Sequence, residues 1–80
     1  MKLQLLLFGI TADLLQTQNT ELEVKESISL LSFKAVLKTT YPQLKNIDSY
    51  AFAVNETYAD NDTILKENDV VAIIPPVSGG

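Results

Sequence analysis

The stretch "NDVVAIIPPVSGG", residues 68–80, contains a turn, a strand, the end of that strand and a tail. Asn68 and Asp69 read as the turn, because Asn tolerates a left-handed backbone better than most residues. Val70 to Ile74 follow as a nearly continuous apolar run. That is the pattern of a strand covered on both faces, or on one face by a helix and on the other by a partner. Pro75 and Pro76 cannot donate ladder hydrogen bonds, so the sheet must stop there, and their fixed φ sends the chain out stiff and extended. Val77, Ser78, Gly79 and Gly80 add a reach of about 13 Å, enough to enter another protein's cleft. Gly79 and Gly80 have no side chains, so a carboxylate on Gly80 could pass down a narrow channel and present its carbonyl unhindered.

Working outward from that strand, "KLQLLLF" (residues 2–8) alternates Leu3, Leu5 and Leu7 against Lys2, Gln4, Leu6 and Phe8, which predicts a first strand. "ITADLLQTQNTE" (10–21) is polar toward its finish and reads as a connection, after which "LEVKES" (22–27) alternates through Leu22 and Val24 as an edge strand. Its outward Glu and Lys would discourage pairing with another edge. Ser27 or Ser29 can cap a helix running through "LLSFKAVLKTTY" (30–41). With Ser29 as cap, Ile28 and Phe33 are spaced for a hydrophobic staple. Leu30, Phe33, Leu37 and Tyr41 then form one buried stripe, and Pro42 ends the helix. "YAFAVN" (50–55) predicts a further strand with Phe52 and Val54 on one face and Ala51 and Ala53 on the other, and "NETYADN" (55–61) a turn-rich continuation. The expected order is strand, strand, helix, strand, strand. That order suits an α+β fold of the β-grasp type, a mixed sheet packed on one main helix, with residues 1–76 as the domain and 77–80 as an extended tail.

Composition narrows the chemistry. The chain of 80 residues has 46% hydrophobic residues and a net charge of −4, with no Cys, His or Arg. It offers no thiol nucleophile, imidazole base, soft metal ligand or bidentate phosphate clamp. No metal is expected. Nucleic acid is an unsuitable partner, since such binding runs on clustered cations, and a basic protein surface suits the charge better. The apolar run near the N-terminus is too short to span a bilayer and is interrupted by Gln4; it reads as a strand of a cytoplasmic protein, with no membrane partner.

These residues carry a family resemblance over essentially the whole chain. "KLQLLLFGITADL" at the start and "AFAVNETYADNDTILKENDVVAIIPPVSGG" at the end, with the capped helix between, resemble the small, sulfur-carrying subunit of molybdopterin synthase. "VAIIPPVSGG" is the most specific part, because Gly-Gly alone is shared with ubiquitin-like modifiers and with the thiamine-pathway carrier. Asn68 departs from the family's usual Gly before Asp69, a change that the same backbone accommodates.

The resemblance implies that an ATP-dependent, E1-like activating enzyme adenylates the Gly80 carboxylate and that sulfur replaces AMP to give a thiocarboxylate. The tail formed by Pro75, Pro76, Val77, Ser78 and Gly79 then enters the active site of a large subunit, where sulfur passes to cyclic pyranopterin monophosphate to build the dithiolene. It also implies a heterotetramer, no intrinsically bound cofactor, and an apolar contact patch of Phe8, Tyr58 and Ile74. The scheme fits a chain whose own side chains offer little catalysis. Two alternatives stand beside it: a related thiamine or tRNA-thiolation carrier or protein modifier, and a noncatalytic interaction module with a passive tail. Lys66, Glu67, Asp60 and Asp62 read as solvated loop charges, and the Asp60 and Asp62 pair as a turn rather than a cation site.

Overall fold

A computed structural model describes residues 1–44 and 46–76. The element order is β1 (Lys2–Leu7), α1 (Gly9–Leu15), β2 (Asn19–Glu23), α2 (Leu30–Thr40), a 3-10 turn (Ile47–Ser49), β3 (Ala51–Val54), β4 (Thr57–Ala59) and β5 (Val70–Ile74). The strands form one mixed sheet in the order β2-β1-β5-β3-β4. β1 and β5 run parallel at its centre, and the other pairs are antiparallel. With α2 packed across one face, this is the β-grasp arrangement.

The core follows the two periodicities. Leu3, Leu5 and Leu7 of β1 and Val71 and Ile73 of β5 point to the helix side and are buried, as are Leu30, Phe33 and Leu37 of α2. Ser29 is the cap: its hydroxyl accepts from the Ser32 N–H at 3.2 Å, while Ser27 is exposed. Ile28 packs against the core that Phe33 enters, as a staple requires. Tyr41 closes the helix immediately before Pro42. Lys34, buried on α2, donates to Asn61 Oδ1 at 2.7 Å and lies 4.9 Å from the centre of the Phe52 ring.

Three expectations need correction. The segment expected as a connection contains α1. Its inward residues are Thr11, Ala12 and Leu15, whereas the larger Ile10 and Leu14 are exposed, so a polar anchor hides the helical period. β2 begins at Asn19 instead of Leu22, with Thr20 and Leu22 opposite Leu5 and Leu3, and Val24 continues the inward set beyond its end. The stretch after β3 is a strand, β4, joined by the two-residue loop Asn55-Glu56. Both loop residues have positive φ, 52° and 71°, the sign pattern of a type I′ turn. Five strands and a second helix replace the simpler order, within the same fold class.

Asn68 adopts φ 67°, the left-handed conformation expected of it. Its N–H donates to Lys2 O at 2.7 Å, tying the turn to the start of β1.

Candidate functional site

The sheet face turned away from α2 carries the candidate site. Strand register places Leu6 beside Ala72, Ala72 beside Ala53 and Ala53 beside Tyr58, a single row across four strands. Two alanines form the floor of that row, and larger side chains stand at its ends. The result is a depression of about 330 Å³, whose walls also include Phe8, Val70 and Ile74. Phe8, Tyr58 and Ile74, far apart in sequence, therefore meet at one place.

Each is held there differently. Phe8 lies one residue beyond β1, not within it, yet its backbone stays extended (φ −129°, ψ 156°), so its ring points opposite to buried Leu7. The hydroxyl of buried Thr11 accepts from the Phe8 N–H at 3.2 Å and donates to the Phe8 carbonyl at 2.6 Å. Ile74 is the last residue of β5 and pairs with Ala51. Tyr58 sits on edge strand β4 and is 74% exposed; Phe8 is 50% exposed. Large apolar groups left this open on one concave face are suited to a protein partner.

The end of the described chain lies alongside. Pro75 follows Ile74 directly and packs over the start of α1: a Cβ placed on Gly9, which has φ 55°, would stand 3.1 Å from Pro75 Cγ. Pro76 is exposed. Val77, Ser78, Gly79 and Gly80 lie outside the described residues.

Asp60 Oδ1 accepts from the Asp62 N–H at 3.0 Å and the Thr63 hydroxyl at 3.3 Å, which makes that pair a turn. Among the described residues no group of three or more His, Cys, Asp or Glu could hold a metal ion. Nor does any helix among them have the length and apolarity to cross a membrane. Asp60, Asp62, Lys66 and Glu67 are all exposed, and Glu67 also accepts from the Lys2 N–H at 2.9 Å.

Sequence reasoning missed Ala53 and Ala72 as the floor and Gly9 as the seat of Pro75. Small residues on predicted strands were the only available signal, and their meaning depends on cross-strand register.

The sequence matches the ThiS family model over residues 5–80. The chain belongs to the ThiS family. It is 36% identical over 78 residues to the molybdopterin synthase sulfur carrier subunit of Drosophila erecta, covering 94% of this chain and 87% of that one. Among solved structures, it resembles SAMP1 from Haloferax volcanii with a TM-score of 0.87 at 20% identity, both chains covered in full, a likeness of fold. It also resembles a chain in the complex of subunits 1 and 2 of molybdopterin-converting factor from Helicobacter pylori. That match has a TM-score of 0.71 at 27% identity and covers 100% of both chains. This ThiS-family chain thus combines a ubiquitin-like core with an open apolar face beside Pro75.

Proposed function

We propose that this chain is the sulfur-carrying small subunit of a molybdopterin synthase. The observation that carries the reading is the adjacency of Ile74, which lines the apolar depression, to Pro75, where the tail begins. A partner seated on Phe8, Tyr58 and Ile74 receives the tail from the same edge. Its similarity to the Drosophila sulfur carrier supports the cargo, and similarity to one chain of the Helicobacter complex supports a large subunit as the partner.

In this reading the Gly80 carboxylate attacks the α-phosphate of ATP in an E1-like enzyme, forming an acyl adenylate and releasing pyrophosphate. A free carboxylate is a poor electrophile, and AMP is a good leaving group. Sulfide-level sulfur from a donor then attacks the acyl carbon, expels AMP and leaves a thiocarboxylate. In the large subunit that sulfur attacks the pterin precursor, and water then cleaves the acyl–sulfur bond, leaving sulfur on the pterin and returning the carrier as carboxylate. Cationic groups for the precursor's phosphate, and the acid or base, come from the large subunit, since the chain has no Arg or His. Pro75 and Pro76 stiffen the root of the tail and limit the freedom lost when it threads.

The test is a chain lacking Gly79 and Gly80, assayed with the large subunit and pterin precursor. It should fold and dock but yield no dithiolene. Product formation at the full-length rate would overturn the reading.

A further inference from the structure

The β3–β4 turn holds a residue whose backbone and side chain pull in different directions. Asn55 and Glu56 are its central residues, with φ 52° and 71°. Such a turn favours Asn-Gly, because Gly alone enters the left-handed region without a steric penalty. Asn55 has an evident reason to be there. Its N–H donates to Val70 O at 2.8 Å, its Oδ1 accepts from Val70 N–H at 2.9 Å, and its Nδ2 donates to Asp69 Oδ1 at 2.9 Å. Those bonds pin the turn to β5.

Glu56 has no such reason within the fold. Among the described residues, no hydrogen bond or ion pair engages its carboxylate, and its side chain is exposed. It nevertheless lines the depression with Phe8, Tyr58 and Ile74. A charged residue kept at a strained position on the rim of an apolar face indicates a role outside the isolated fold.

We propose that Glu56 is a specificity residue of this docking face, its carboxylate pairing with a Lys or Arg that the large subunit places beside the apolar contact. The inference rests on the proposed function and adds the charge its partner must carry. A rim carboxylate of this kind steers encounter more than it holds the complex, and salt screens it. The chain's net charge of −4 favours the same cationic partner surface.

The experiment compares the full chain with its Glu56→Gln and Glu56→Gly variants. Melting temperature is measured on each alone, and association with the large subunit is followed by stopped flow at low and high salt. Glu56→Gly should melt about 5 °C higher than the wild type, because the strain is relieved. Both variants should associate about 3- to 10-fold more slowly at low salt, and the difference should vanish at high salt. Glu56→Gln removes the charge and keeps the backbone, so salt-sensitive slowing shared by both variants belongs to the carboxylate. Wild-type association rates for both variants, or a Glu56→Gly chain that melts no higher, would overturn the proposal. If the wild-type chain itself fails to associate, the large-subunit reading falls, and this proposal with it.

Discussion

Thr11 holds both backbone polar groups of Phe8, accepting from its N–H at 3.2 Å and donating to its carbonyl at 2.6 Å. The hydroxyl is fully buried while the Phe8 ring is half exposed, so a core residue sets the position of a surface one. Thr11→Val keeps the shape and removes both bonds. It should cost about 1 to 2 kcal/mol in urea unfolding and accelerate amide exchange at Phe8. Thr11→Ser should retain most of the stability. An unchanged unfolding midpoint for Thr11→Val would show that the clamp is energetically idle.

Phe8 on the open face should behave as an anchor for binding, not for folding. Phe8→Ala is expected to leave the melting temperature nearly unchanged while weakening large-subunit binding about 30-fold, near 2 kcal/mol. Calorimetric titration reads the second quantity directly. Equal affinity would move the interface off this face.

Asp69 joins three segments: Oδ1 accepts from Asn55 Nδ2 at 2.9 Å, Oδ2 accepts from the Lys66 N–H at 2.8 Å, and its carbonyl accepts from the Gln4 N–H at 2.9 Å. Asp69→Ala removes the two carboxylate bonds and should cost about 2 kcal/mol in thermal or chemical unfolding. Protection of the Lys66 amide should fall with it. A neutral result would mean that water replaces the carboxylate without loss.

Gln16 ends α1 in the left-handed conformation, φ 56° and ψ 35°, where Gly is preferred. Gln16→Gly should stabilise the chain by up to about 1 kcal/mol, the relieved strain outweighing the added freedom of the unfolded chain. A lower denaturation midpoint would contradict this account of the cap.

Legibility in the sequence followed the type of signal. The apolar periods of residues 2–8 and 30–41, the stop at Pro42 and the run Val70 to Ile74 were readable because burial there is carried by large apolar residues. α1 was not, because its inward anchor is Thr11 and its outward residues include Ile10 and Leu14. β4 was hidden because Asn55-Glu56 lacks the Gly that marks a two-residue hairpin. At the site, the family resemblance picked out Phe8, Tyr58 and Ile74, and the structure gathers them around one depression. Its floor of Ala53 and Ala72 depends on the pairing of β3 with β5, a long-range register that local pattern does not encode.

If Gly80 carries sulfur, the intact mass of the chain registers it. The chain is incubated with an activating enzyme, ATP and a sulfur donor, then weighed before and after addition of the large subunit with its pterin precursor. The expected result is a gain equal to one oxygen replaced by sulfur, localised to Gly80 and lost when the large subunit and precursor are added. An unchanged mass beside a demonstrably active activating enzyme would contradict it.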